Sequence, residues 1–513
     1  MVRIYLTLHP PLLHEADVTT EISKPLGRTA WLVLTVAAIG FLFDTYELLM
    51  TPLVLAPALS ELLRVPPNHP DVQLWVGRVL WMTALCGGVF GLMGGWMIDK
   101  FGRKTVMIGS IFVYSFSPVL AGLSTDLTWL VFFRCTTFVG VCVEFVAAVT
   151  WLAELFPDKR QRELAIGWTQ AFASVGGLLV TGVSAGVGYM VANKMLPTLP
   201  VGDPTNPAWR FTLMTGLLPA IPIAILLPFV PESAVWLERK KSGALRRPSF
   251  FEIFEPKLLR TTVVATILSA CAYAAAFGTL QVTVTQAVPG LPDMAETRAK
   301  MEPLIKANKG LEKQFAGLDK ESEEFKTKDK EFKDNLKKMG KINKEEVQPR
   351  RESVQFMQEL GGLAGRILLA IALVSIASKR VLLWIFQIPG LIIIPLVWFF
   401  VFQNAPHLFS YGVFLAGLCI VAQFSYFGEY LPKVFPVHLR GTGSAFATNV
   451  GGRMIGTSAA FLTTNLIAPM LTIGSNNFEK VAYAAGITGV LVFAIGFVTS
   501  FFLLEPKAEG SPE

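Results

Sequence analysis

An all-α integral membrane fold, with twelve transmembrane helices in two pseudo-symmetric six-helix bundles, is expected from three features of the sequence. Of 513 residues, 52% are hydrophobic and 16% charged, far from the balance of a water-soluble domain. Apolar runs long enough to cross a hydrocarbon layer as helices recur twelve times, six on each side of a charged break. Basic residues collect on alternate connections between those runs.

The first six runs cover 30–55, 73–98, 105–123, 127–152, 165–190 and 211–229; the second six cover 262–286, 360–376, 381–402, 409–427, 444–467 and 481–504. Lys100, Arg103 and Lys104, then Lys159, Arg160 and Arg162, then 239–260, Lys379 and Arg380, and Lys433 and Arg440 mark one side. The opposite short loops are nearly free of Lys and Arg, with Arg64, Lys194 and Lys480 among the few. The basic side and both termini are therefore expected in the cytoplasm. The expected organisation is a tail at 1–29, a bundle at 30–231, a cytoplasmic linker at 232–260, a second bundle at 261–504 and a tail at 505–513. The first 28 residues lack an apolar signal core, so the first run is expected to remain as an anchor. A net charge of +7 confined to these short clusters gives no nucleic-acid footprint.

One connection is long. Residues 292–353 alternate Lys and Glu, and Leu304, Leu311, Leu318, Phe325, Phe332 and Met339 recur every seven residues, with Phe315 and Leu336 four residues after members of that series. That pattern predicts a coiled-coil-like helical arm on the outer face. It is either a solvated hairpin on the outer mouth or a surface for a protein partner or self-association. The arm contains no N-x-[ST] acceptor, which points to a bacterial inner membrane as the host plasma membrane.

After the second run comes GWMIDKFGRK, with Gly95, Asp99, Lys100, Gly102, Arg103 and Lys104 at the positions of G-x-x-x-D-[RK]-x-G-R-[RK]. Gly95 would allow close helix approach, Asp99 would accept bonds from a helix N-terminus, and Arg103 would bridge to a carboxylate. With Glu154, Arg160 and Arg162, these residues are expected to latch the cytoplasmic side. The loop resembles the signature of the major facilitator superfamily. Arg134, Gly140 and Glu144, the ELFP run at 154–157 and PESAVWL at 231–237 resemble its branch of sugar porters, synaptic-vesicle-like transporters and metabolite:proton symporters. The resemblance implies that superfamily's fold and a transporter rather than an enzyme. Phe156-Pro157 recurs as Phe435-Pro436, an offset of 279 that sends Arg103 to Leu382 and Glu154 to Lys433. By that alignment the latch is ionic in the first half only.

Charges within the runs are the candidate site residues. Asp44 and Glu47, three apart on one helical face, should both see a central cavity and, with Glu144, are the candidates for proton coupling. Arg366 and Arg453 in the second half suit an anionic substrate, which guanidinium binds in a bidentate way; an interhelical pair with Asp44 or Glu144 is the alternative. Arg134 lies too far from Glu144 to pair and is expected to meet an acid of the first span. It is grouped with Gln170, Tyr273, Gln281, Gln423, Tyr426 and Asn449 as cavity-lining candidates. All five histidines lie in loops or tails and no cysteines form a metal-type spacing, so no metal site is expected; no phosphate-binding loop appears, so direct ATP coupling is not expected either. The sequence thus predicts a cofactor-free secondary transporter of a small polar metabolite in the lipid bilayer, working by alternating access. Proton symport of an organic anion ranks first, a sugar or polyol porter or an uncoupled facilitator next, and a non-transporting sensor or scaffold last.

Overall fold

The computed structural model describes residues 28–65, 70–156, 159–202, 207–218, 220–226, 229–242, 249–315, 322–436 and 439–506. The described chain is helical and without strands. Ten segments are long and apolar enough to cross a membrane. The other two of the twelve expected runs are built from shorter pieces, at 208–226 and 440–470. Large apolar side chains such as Phe229, Ile392, Phe400 and Met470 stand exposed around the outside, as a lipid-facing surface requires. The chain is a multi-pass membrane protein.

In the first half, α1 (Arg28–Leu63) packs on α4 (Leu127–Leu155) and α5 (Lys159–Ala192). Helix α4 also holds α2 (Pro70–Phe101) and α3 (Arg103–Gly122), and the pieces α6 (Ala208–Met214) and α7 (Ala220–Leu226) close the bundle. Glycines permit the tightest crossings. A Cβ on Gly176 would stand 1.8 Å from the Leu42 carbonyl oxygen of α1. At the far end, Arg210 of α6 bonds Glu61 at 2.8 Å and the carbonyls of Gly122 and Ser124 at 2.8 and 2.7 Å, tying α1, α3 and α6 together. A short helix α8 (Ala234–Lys241) leads into the second half.

There α9 (Pro256–Ala274) continues through wide turns at 275–287, and α10 (Ala295–Phe315) and α11 (Glu323–Ile342) form the arm. Helices α12 (Gln348–Ser375), α13 (Lys379–Pro395), α14 (Phe402–Asn404), α15 (Phe409–Val434), α16 (Arg440–Ala445), α17 (Ala459–Phe461), α18 (Ala468–Met470) and α19 (Asn477–Ser500) follow. The crossing of α12 on α15 repeats the glycine device, with Gly361 and Gly365 against the carbonyls of Phe414 and Leu418.

The arm is an antiparallel hairpin: Thr297 and Lys300 bond Glu346 at 2.6 and 3.0 Å, and Asn335 donates to Asn308 at 2.9 Å. Met301, Leu311, Phe332 and Met339 are buried in it. The periodicity anticipated the apolar seam but not the buried Asn pair, which fixes register as polar residues do in coiled-coil cores. The Phe315 side chain and Leu318 lie outside the described residues.

The halves meet along α5 with α12 and along α2 with 446–456. On the arm side they are sealed by Leu55, Leu59, Val76 and Leu80 packed with Leu280, Val284, Val288 and Trp398. A cavity lies between them beyond that seal. The Gly176→Ala substitution should force α1 and α5 apart at a cost of about 1–3 kcal/mol, read as a lower melting temperature in detergent. Gly182→Ala on the same helix, where a Cβ meets nothing within 4 Å, should leave it unchanged.

Candidate functional site

The cavity reaches from mid-membrane toward the basic ends of the helices, where Val149, Leu431 and Ser444 line it. Its walls are largely apolar and include the rings of Phe41, Phe145, Tyr273, Phe277, Phe424 and Phe427. Its charged lining is Asp44 from the first half and Glu359, Arg366 and Arg453 from the second.

Arg453 lies in the wide-turn stretch 446–456, which packs its glycines on α9: Cβ atoms at Gly451 and Gly456 would each come within 2.6 Å of a carbonyl oxygen of that helix. From there its side chain crosses to the first half. It pairs with Asp44 at 3.8 Å, donates to the Val141 carbonyl at 3.2 Å and stands 4.9 Å over the Phe145 ring. Glu144 faces Asp44 and rests on Gly40, one turn earlier on α1, where a Cβ would stand 2.3 Å from its Oε1. Burial of an ion pair is tolerable only with such added contacts.

Glu47 differs from the expectation. It is buried but does not line the cavity: three residues on from Asp44 is a rotation of about 60° around the helix, and that turns it toward Gly216 and Arg134. Arg134 meets the Glu47 carboxylate at 3.6 Å, donates to the Glu47 carbonyl at 3.1 Å and bonds the Thr51 hydroxyl. Its partner is thus the expected acid of the first span, and it stays off the cavity wall. Of the other candidates, Tyr273, Gln281 and Arg366 line the cavity. Gln423 bonds its own helix at Cys419, Tyr426 stacks on Tyr430, and Asn449 packs against Gly91 of α2; none of the three lines the cavity. The Gln170 side chain lies outside the described ones. Sequence reading passed over Glu359, which lines the cavity and accepts from Gln358 at 2.7 Å. Its position at the edge of the eighth apolar run, in QELGG, hid it among polar boundary residues.

The signature loop forms a network within the first half. Arg103 donates twice to Glu154, at 3.1 and 2.8 Å, and Ser233 also reaches Glu154. Glu232 accepts from the backbone amides of Arg103 and Lys104 at 3.0 and 3.1 Å, capping α3. Gly102 has φ +97° and faces Glu232, so both conformation and space demand glycine. Gly95, expected at a close approach, has nothing near it; Lys100 stacks over Trp96. The side chains of Asp99, Arg160 and Arg162 lie outside the described ones. Among the described residues the network joins α3, α4 and the linker.

The second half has an ionic network too, contrary to the alignment by Phe-Pro. Glu429 pairs with Lys379 at 3.2 Å and with Lys433. Glu505 accepts from the Ser378 hydroxyl and the amides of Lys379 and Arg380 at 2.7, 2.8 and 3.0 Å, as Glu232 does for α3. Partial burial pushes the Glu505 carboxyl up, but these bonds win and hold it below its ordinary range. The bridging carboxylate lies one turn before the position that the offset of 279 selects, so Lys433 looked like its replacement.

Residues 53–284 match the family described as sugar (and other) transporter. The sialic acid transporter NanX of Escherichia coli is 26% identical over 240 residues, 47% of this chain and 52% of that protein. The niacin transporter NiaP of Acinetobacter baylyi is 28% identical over 227 residues, 43% of this chain and 45% of that protein. The chain thus spans about half the length of the curated relatives it matches. The crystal structure of a D-xylose–proton symporter superposes with a TM-score of 0.62 at 16% identity, covering 93% of this chain and 98% of that one. The chain has the fold of the major facilitator superfamily, and the match to the sugar (and other) transporter family is confined to residues 53–284.

Glu429→Gln, which leaves Lys379 and Lys433 without their shared carboxylate, should destabilise the protein about as much as Glu154→Gln, each by about 1–3 kcal/mol. Thermal unfolding of the purified variants checks it. A second half held by packing alone would leave Glu429→Gln at the wild-type melting temperature.

Proposed function

We propose that the chain is a secondary active transporter that carries a small organic anion by alternating access, in symport with protons. The observation that carries this reading is Arg453, a guanidinium of the second half on the cavity wall, paired across the interface with Asp44 of the first. With Asp44 ionised, Arg453 is engaged. A proton on Asp44, or shared with the adjoining Glu144, cancels that attraction and leaves the guanidinium available to a substrate carboxylate. Proton and anion then bind together and leave together, because loss of the proton restores a competitor for the same cation. Arg366 and Tyr273 complete the polar lining. Glu47, tied to Arg134 away from the cavity, serves in this reading to position α1 rather than to carry the proton. The proton gradient is the driving force, with no cofactor. The relatives named for sialic acid and niacin favour an acid as cargo.

The basic face, both termini and the linker at 232–260 belong in this reading to the cytoplasm, and the arm at 292–353 to the outside of a bacterial inner membrane. A sugar cargo is the second reading, favoured by the amides of Gln281 and Gln358 on the cavity wall.

Proteoliposomes with an imposed pH gradient test the proposal against a panel of sialic acid, niacin and xylose. Wild-type protein should accumulate one of the acids. Asp44→Asn should abolish accumulation while retaining counterflow. Arg453→Gln should weaken binding at least about 30-fold, the loss expected when a buried carboxylate–guanidinium bond is removed. Accumulation unchanged in Asp44→Asn would refute the coupling role, and accumulation of xylose alone would favour the sugar reading.

A further inference from the structure

Adjacent arginines open α12 with opposite surroundings. Arg350 is held at the base of the arm through its terminal nitrogens, donating to Asp293 and to the Pro406 carbonyl at 2.9 Å each and to the Ser410 hydroxyl at 3.2 Å. Arg351 is turned inward and buried, and no acid among the described residues pairs with it. It begins a stripe. Gln355, Gln358 and Glu359 follow at helical spacing on the same face, all buried, while Phe356, Leu360, Ile367 and Ile371 occupy the opposite, lipid-facing side.

The stripe packs on 283–287 of the α9 continuation, which presents Gln286, also buried. This is the arm side of the cavity. Val347 and Val354, interleaved with the stripe, belong to the apolar seal together with Val284 and Val288. The polar groups are not satisfied there: both polar atoms of Gln355 and of Gln286, the Arg351 Nε and the Gln358 Oε1 are buried without a hydrogen-bond partner. A seal that only ever stayed closed would be cheaper if apolar, because buried polar groups without partners are strongly unfavourable. The facing charges are few. Glu352 is turned to Ser184 of α5, and Glu359 lies eight residues deeper, about 12 Å along the helix.

We propose that Arg351, Gln355 and Gln358, with Gln286, line an anion-selective vestibule that becomes wet when the arm side opens, a first station for the carboxylate before Arg453. This rests on the alternating-access reading above. With the seal parted, Arg351 is the cation that an entering anion meets, and the three amides supply donors along the wall. The vestibule should raise the local concentration of anions over cations about tenfold, as a single-sign, low-dielectric cleft does.

The test is cysteine labelling of the full chain in vesicles with the arm side outward, using the anionic sulfonatoethyl and cationic trimethylammonioethyl methanethiosulfonates, above the wild-type background. Gln355→Cys should be labelled, and adding Arg351→Gln should lower the anionic-to-cationic rate ratio about tenfold. Adding Arg351→Lys, which keeps the charge, should preserve that ratio. Gln286→Cys serves as the second reporter if Gln355→Cys does not fold. Absence of labelling at both positions, in a preparation whose Thr448→Cys control on the central cavity wall is labelled from the arm side, overturns the proposal. So does a rate ratio indifferent to the charge at 351. Failure of the transport reading shows separately, as no acid uptake by the wild-type chain in the same vesicles.

Discussion

A cation from one half set into the wall of the other is the constraint around which the membrane part is arranged. Arg453 would be intolerable in hydrocarbon alone. Its carboxylate, carbonyl and aromatic contacts all come from the first half, on α1 and α4. To deliver it there, 446–456 must lie close against α9 and α2, which the glycines of those segments permit. The carboxylates need room as well. Glu144, Glu47 and Glu359 each sit opposite a glycine of a neighbouring helix, at Gly40, Gly216 and Gly177. Small residues here make space for charge as well as for backbone approach.

The two halves solve the problem at their basic face in the same way. In each, a carboxylate beyond the sixth or last helix caps the third helix of the bundle, and a carboxylate near the end of the fourth gathers the basic side chains beside it. The chemistry is shared while the letters differ: arginine with glutamate in one half, two lysines around one glutamate in the other. Fold symmetry constrains where charge must be neutralised more tightly than which residue does it.

Much of this was legible in the sequence because the bilayer imposes length and apolarity on each span. Ten helices follow directly from those rules. The sixth and eleventh runs, broken by proline, glycine and wide turns, keep their apolarity but not a single regular helix. At the site, Asp44 and Arg453 stood out as costly charges in apolar runs, and so did their pairing as one alternative. Glu359 did not, because it sits at a run's edge where polar residues are ordinary. Glu47 was misassigned to the cavity because a spacing of three marks a shared face only broadly. The second-half network was missed because one dipeptide fixed the register, and an error of four residues is a whole helical turn.

The arm and the membrane share one rod. From Glu323 to Leu373 the chain is a continuous helix of 51 residues, with α11 in the arm and α12 in the helical bundle. The 20 residues of α11 extend about 30 Å from the bilayer, so a tilt of α12 by about 10° carries the far end through about 5 Å. A tilt of α12 is therefore repeated as a displacement at the far end of the arm. The hairpin is a natural pointer: a fluorophore on the first turn of α11 would read the posture of the buried helices from the water.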